Sequence, residues 1–278
     1  MSWCEAGACL QVIERIGNVP VRLSMTQAAG TRSHVRIRLR IEASELRPAD
    51  ASLMRRRAAI MLRRDLDLSE FHAHVRSIPK LKPILRIGAG RILRNTSMAE
   101  NIIKAQCAAN VNWTQAVKMI NRIGQLGPCL AEFRSLNAWP TPREILAAGE
   151  DYLLNVARVG YRAKFILAFC RSVTDGSFDV DALDQFAATN TTDDVYARLL
   201  TINGVGPAGA SFLLSLLGHF GRMSIDSWTL TYVGRTYMDG RKPTVKQVER
   251  LYEPHGEWRQ LVWWFEQWLH WGTAQSML

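Results

Sequence analysis

Two apolar helical runs meet at a glycine turn, and one carboxylate follows at a set distance. The stretch from Leu199 to Trp228 constrains this chain more than any other. Leu199-Leu200-Thr201-Ile202 closes the first run, Asn203-Gly204-Val205-Gly206 makes the turn, and Pro207 opens the second run. Glycine reaches backbone angles that strain other residues, and proline is pre-set for the first helical position. Val195, Leu199 and Leu200 before the turn, and Ala210, Leu213, Leu214 and Leu217 after it, supply a shared core. The spacing predicts a helical hairpin. Backbone N–H groups at such a helix start lack partners within the helix, so they can hold a phosphate oxygen without any side chain. By itself, Gly-x-Gly reads as a plain corner between helices.

The distance to Asp226 adds a second constraint. Asp226 follows Gly204 by 22 positions. They accommodate the second helix, a return loop Gly218-His219-Phe220-Gly221-Arg222, and the start of a segment that carries Trp228. An aspartate here is a helix N-cap, a carboxylate within reach of a sugar whose backbone the turn holds, or both.

Charge indicates what such a turn meets. The net charge of +10 suits a polyanion, most often nucleic acid. An apolar content of 47% fits a globular chain with a real core, and 278 residues suit one large domain or two small ones. The cysteines, Cys4, Cys9, Cys107, Cys129 and Cys170, are odd in number, scattered, and form no C-x-x-C pair. They support neither a zinc site nor a disulfide framework, and free thiols suit a reducing compartment. No apolar run reaches the length of a membrane span. Residues 1–16 carry Glu5 and Glu14 without a basic region, unlike a secretory signal. A cytoplasmic protein with no membrane partner is expected, nucleoid-associated if bacterial.

In chain order, residues 1–90 have the texture of a small antiparallel sheet domain. Val35-Arg36-Ile37-Arg38-Leu39-Arg40-Ile41 alternates strictly, as a half-buried strand does. Val19 to Ser24 alternates in part. Arg56 to Leu66 reads as a third strand or a short helix, and Gly30 and Pro48-Ala49-Asp50-Ala51 as turns. Arg36, Arg38 and Arg40 share one side, either a solvated face or a phosphate track. Residues 91–278 are helical in texture. Ser69 is read as a cap, as is Ser97 with Glu100 answering it. Thr141 is read as a cap ahead of Pro142 and Glu144. The class is α+β, a mostly helical core preceded by a small sheet. The helical part is expected to form two lobes with a cleft between them.

These residues resemble the helix-hairpin-helix DNA glycosylase superfamily. The likeness rests on Leu200 to Pro207 together with Ile225-Asp226. It extends to Glu100-Asn101-Ile102-Ile103-Lys104-Ala105-Gln106-Cys107-Ala108-Ala109-Asn110, similar to the early helix that ends at the strand-inserting wedge. Gly160-Tyr161-Arg162-Ala163-Lys164 looks like the corresponding turn of the 3-methyladenine and 8-oxoguanine branches. The resemblance covers residues 97 to about 270, and two-domain members of those branches also carry a sheet in front. The hairpin departs from the usual pattern at Asn203, where proline is common.

The resemblance implies an enzyme that flips a modified base out of double-stranded DNA and hydrolyses its bond to the sugar. Asp226 falls at the position that stabilises positive charge on the sugar. Asn203, Gly204, Val205 and Gly206 fall at the phosphate-binding hairpin. Leu200, Ile202 and Val205 match the backbone carbonyls that hold Na+ or K+ in the family. Ala208 stands where bifunctional members carry a nucleophilic lysine, which implies no efficient lyase step. No cysteine follows Cys170, so the four-cysteine iron-sulfur cluster of some members is not expected, and no cofactor is required. Gln260 and Trp264 fall near the places of base-contacting residues on late helices, and Trp228 is a third pocket candidate. Core packing is the competing role for each tryptophan. Asn110 and Asn112 are candidates for the wedge and the orphaned base; as alternatives they end a helix and make a turn. A monomer is expected. The leading substrate is an alkylated purine. An oxidised purine, a hypermodified phage pyrimidine, or a catalytically silent DNA clamp are the alternatives.

Overall fold

The computed structural model describes the backbone of residues 2–4, 9–31, 34–44, 46–86, 88–130 and 137–275, and the side chains of these except 2–4, 29–31, 34–35 and 271–275. The strands are β1 (Ser2–Cys4), β2 (Cys9–Ile16), β3 (Val19–Thr31) and β4 (His34–Glu42). The helices are α1 (Pro48–Met61), α2 (Ser69–Arg76), α3 (Lys82–Arg86), α4 (Met98–Ala108), α5 (Trp113–Gly124), α6 (Pro142–Asp151), α7 (Ala163–Thr174), α8 (Leu183–Thr189), α9 (Thr192–Leu200), α10 (Pro207–Leu217), α11 (Ser227–Tyr237), α12 (Val245–Tyr252) and α13 (Arg259–Gln275). The architecture is α+β, as the sequence indicates. No helix among the described residues is long and apolar enough to cross a membrane. The chain forms two compact units, residues 1–61 with 95–180 and residues 62–94 with 181–278.

The first unit holds the sheet. Its strands are antiparallel in the order β1-β2-β3-β4. Val12 pairs with Leu23 and Leu23 with Ile41; Leu10 pairs with Met25 and Met25 with Leu39. This register places one apolar row on one face, because side chains alternate sides along a strand. The sheet ends at Glu42, and residues 48–61 are helical. Arg56 to Leu66 is therefore not a third strand, and Pro48 to Ala51 starts α1 rather than making a turn. The buried residues of α1 are Asp50, Met54, Ala58 and Met61, a helical period that outweighs the β-like Ala58-to-Leu62 run. Arg57 ties α1 to β2 by donating to Glu14 Oε2 at 2.9 Å. Gly30 lies within β3.

Side-chain caps set the starts of α5, α6, α9, α11 and α12. Thr141 accepts the Glu144 N–H at 3.2 Å, and Glu144 Oε2 accepts the Thr141 N–H at 2.7 Å. Arg15 clamps the same glutamate with both guanidinium nitrogens. These contacts hold Glu144 below the usual carboxylate range, the Arg15 hydrogen bond being the main cause. Ser97 occupies the N-cap of α4 without a side-chain cap bond, and Glu100 pairs with Lys104 instead. Ser69 is the first residue inside α2 and bonds Asp67.

In the second unit, the Glu266 carboxylate on α13 accepts the Tyr237 and Tyr252 hydroxyls and pairs with Lys80 at 3.3 Å. Burial, reinforced by Glu266, pushes both phenols up, so they remain donors.

Candidate active site

The hairpin forms as its sequence dictates. Val195 and Leu199 of α9 and Ala210, Leu213, Leu214 and Leu216 of α10 are buried. Ile202 and Val205 turn inward as well, which anchors the loop between the helices. The Val205 N–H donates to the Ile202 carbonyl at 3.0 Å and closes a four-residue turn. Gly204 sits third in that turn with φ +83°, the angle that selects glycine there. Asn203 and Gly206 are exposed, and Gly204 is half-buried.

The two ends of α10 differ. At its C-terminus every late carbonyl up to Leu216 has a partner. Gly218, with φ +99°, donates to Ser215 at 3.3 Å, and His219 donates to Leu214 at 3.0 Å. That is the Schellman arrangement. The Leu216 carbonyl receives two buried guanidiniums, Arg63 and Arg94 (3.2 Å for Arg94), and Arg94 also forks onto Asp184. Cations here complement the helix dipole. At the N-terminus, Gly206 offers no side chain, Pro207 no N–H, and no side chain caps the helix. The Ala208 and Gly209 amides belong to the first turn, where no intrahelical acceptor exists. A glycine N-cap costs only about a few tenths of a kcal/mol relative to the best caps, whereas each buried leucine contributes roughly 1.5–3 kcal/mol. The core therefore holds α10 in place with an open, outward-facing start.

Gly206 sharpens the picture. Its φ is −91°, which any residue adopts, and a Cβ built there meets no atom within 4 Å. Nothing inside the chain requires glycine at 206. The space in front of the Gly206 backbone is open.

Asp226 is the N-cap of α11. Its Oδ1 accepts the Thr229 N–H at 2.8 Å and lies 2.9 Å from the Thr229 hydroxyl, while the Asp226 N–H donates back to Thr229 Oγ1 at 3.3 Å. Oδ2 makes no hydrogen bond among the described residues, and Asp226 is exposed. One oxygen fixes the carboxylate; the other faces outward. The cap and the free carboxylate oxygen coexist in one residue.

A strut links this carboxylate to the hairpin. Ser224 Oγ donates to the Ala208 carbonyl at 2.8 Å, in the first turn of α10. The Ser224 N–H donates to Gln260 Oε1 at 2.9 Å, and Gln260 is fully buried. Gln260, read from sequence as a pocket residue, thus holds the segment leading to Asp226. Trp228 is 40% exposed, and its indole donates to Gln267 Oε1 on α13. Trp264 is half-buried and packs on Phe212 of α10, ring centroids 5.8 Å apart. Ser224 and Gln260 are 36 residues apart, so no local signal could pair them. The Asp-x-x-Thr spacing, by contrast, is a local signal for the cap that Asp226 and Thr229 share.

In the other unit, Asn110 is exposed with φ +51°, two residues past the end of α4, and its amide donates to the Tyr161 hydroxyl at 3.2 Å. Arg162 holds the same corner by donating to the Ala109 carbonyl. The Gly160-to-Lys164 turn therefore supports the Asn110 loop. Asn112 caps the start of α5, accepting the Gln115 N–H at 2.9 Å. Its local structural role is an N-cap, not a helix end.

No protein-family model and no curated protein matches the sequence. Solved structures do match. A 3-methyladenine DNA glycosylase from Archaeoglobus fulgidus superposes with a TM-score of 0.72 at 18% identity, covering 95% of this chain and 89% of that one. MBOgg1, in complex with a low-affinity DNA ligand, gives 0.69 at 20% identity over 96% and 91%. The 8-oxoguanine glycosylase/lyase of Clostridium acetobutylicum, in complex with double-stranded DNA containing cytosine opposite 8-oxoG, gives 0.67 at 16% identity over 93% and 88%. The chain has the fold of the 3-methyladenine and 8-oxoguanine DNA glycosylases.

Proposed function

We propose that the protein is a DNA glycosylase that hydrolyses the bond between a modified base and its sugar and leaves an abasic site. The observation that carries this is Asp226, with one oxygen locked into the α11 cap and the other open, strapped through Ser224 to an uncapped phosphate turn. The Gly204 and Gly206 turn and the Ala208 and Gly209 amides hold a DNA phosphate. Double-stranded DNA is the partner, and the target nucleotide is flipped out of it. As the base departs with the bonding electrons, the sugar gains positive charge, which the Asp226 carboxylate stabilises. Water supplies the new oxygen at the sugar carbon, and its proton ends on the base or in solvent. Hydrolysis consumes only water, so this reading requires no redox cofactor. The Leu200, Ile202 and Val205 carbonyls at the hairpin are neutral oxygen donors of the kind that hold Na+ or K+, which when bound adds positive charge beside the phosphate. Asn110, braced by Tyr161, is the proposed wedge.

The half-exposed aromatics Trp228, Trp264 and Phe212 favour an electron-poor base held by stacking, hence an alkylated purine. The deciding experiment incubates duplex oligonucleotides carrying an alkylated purine, an oxidised purine or a modified pyrimidine, then reveals abasic sites with alkali. Cleavage with the alkylated purine first is expected. Binding without any abasic site would leave a silent clamp as the answer.

Position 208 supplies no amine, so the reaction is proposed to stop at the abasic site. Borohydride added during turnover is expected to trap no covalent protein–DNA adduct, with strand breaks appearing only after alkali. A trapped adduct would overturn the monofunctional reading.

Gly206→Ala tests the turn. Stability should stay within about 1 kcal/mol, because the cap changes only from glycine to alanine. Affinity for duplex DNA should fall on the order of 10- to 100-fold, the worth of one amide–phosphate bond of about 1.5–3 kcal/mol. An unchanged dissociation constant would show that the turn is not the phosphate site.

A further inference from the structure

The outer face of the sheet carries charge that the hairpin chemistry leaves unused. On β4, Arg36, Arg38 and Arg40 are exposed and lie on one side, about 6.8 Å apart along the strand. Their cross-strand partners on β3 are Ala28, Thr26 and Ser24, none of them acidic. The next row, on β2, places Cys9 beside Thr26 and Gln11 beside Ser24. Arg22 pairs in register with Glu42 at the end of the same face. Glu42 is shared by Arg22 at 3.6 Å and Arg40 at 3.0 Å. Among the described residues, three exposed guanidiniums and the largely buried Arg22 share this face with one carboxylate, Glu42. A shallow groove of about 300 Å³ runs over it, bordered by Arg22, Ser24, Thr26, Arg38, Arg40 and Glu42.

Such a row is unfavourable by itself, since like charges on neighbouring positions of one sheet face repel. A mixed row of acids and bases would keep the strand soluble without that cost. β4 is an edge strand, and charges there also deter pairing with another chain. Either sign would serve that purpose, whereas here every charged residue from 36 to 40 is arginine. Arginine's planar fork fits two phosphate oxygens at once. The floor of Ser24, Thr26 and Gln11 adds uncharged hydrogen-bonding groups and no steric bulk.

We infer that this face is a second nucleic-acid contact, on which Arg36, Arg38 and Arg40 track the phosphate backbone of duplex DNA independently of sequence. The contact goes beyond base excision and does not depend on it, because backbone phosphate is present whether or not a base is modified.

The test measures binding of a short unmodified duplex across a salt series. The triple variant Arg36→Ser, Arg38→Ser, Arg40→Ser should bind 10- to 100-fold more weakly at physiological salt. Its plot of log affinity against log salt should be shallower by about 2–3 units, at roughly 0.9 for each phosphate that the protein ceases to neutralise. The triple lysine variant should keep the wild-type slope. A control triple on exposed cations elsewhere, Lys242→Ser, Lys246→Ser and Arg250→Ser, removes the same net charge and should leave the slope within about one unit. An unchanged slope in the β4 variant, or an equal loss in the control, overturns the inference. Because the duplex is unmodified, these outcomes stand whether or not any base is ever released.

Discussion

Asp226→Asn is expected to slow single-turnover base release by roughly 10²- to 10³-fold or more, the usual loss when one preorganised electrostatic partner of the transition state is removed. The substitution is informative because asparagine caps helices as well as aspartate does. Its side-chain oxygen can still accept the Thr229 N–H, so α11 and its contacts persist. Only the charge disappears. Affinity for duplex DNA should stay the same or rise slightly, since a negative group near the backbone is gone. Asp226→Ala would lose the charge and also the cap, adding about 1 kcal/mol of destabilisation. Comparing the two separates helix support from chemistry. A rate for Asp226→Asn within threefold of wild type would remove Asp226 from the reaction and leave it a cap alone.

The second large effect concerns stability. Arg63→Ala should lower the unfolding free energy by about 2–4 kcal/mol, the worth of charge-assisted bonds at about 1.5–3 kcal/mol each, partly offset by repulsion from Arg94. Arg63 is 3% exposed, and it holds the Leu216 carbonyl at the closed end of α10. Its own backbone has φ +50°, an angle few non-glycine residues adopt, so local preference does not place it there. Asp65 partners it, but that carboxylate's side chain is 58% exposed and would be resolvated on removal of the arginine. This keeps the cost below that of stranding a buried charge. A chemical denaturation midpoint indistinguishable from wild type would show that Arg94 alone completes the helix end. Binding of duplex DNA well below the melting temperature should change little, because the proposed phosphate site lies at the opposite end of α10.

The hairpin was legible because it is local. Gly204, Gly206 and Pro207 act through their own backbone, and Ile202 and Val205 need only the two adjoining helices. The Thr141–Glu144 cap was legible for the same reason. The strict alternation of Val35 to Ile41 marked β4, but β2 carried no such mark. Its buried residues Cys9, Leu10, Val12 and Ile13 break the two-residue period. The α1 segment misled because Ala59 and Ile60 sit beside the buried face and lengthen the apolar run. What sequence could not show is what distant residues do for one another. Ser224 reaches Ala208 and Gln260, and Arg63 reaches Leu216 across 153 positions. Those contacts turn a recognisable motif into a fixed constellation. They depend on side chains meeting only after the chain has folded.

The double use of Asp226 also bears on entropy. A surface aspartate ordinarily samples several rotamers, and ordering it around a substrate would subtract from binding. Here the Thr229 bonds remove that freedom when α11 forms, long before any DNA arrives. In the proposed reaction the open oxygen needs no reorganising to meet a flipped nucleotide, so ordering this carboxylate belongs to the free energy of folding and not to that of the reaction.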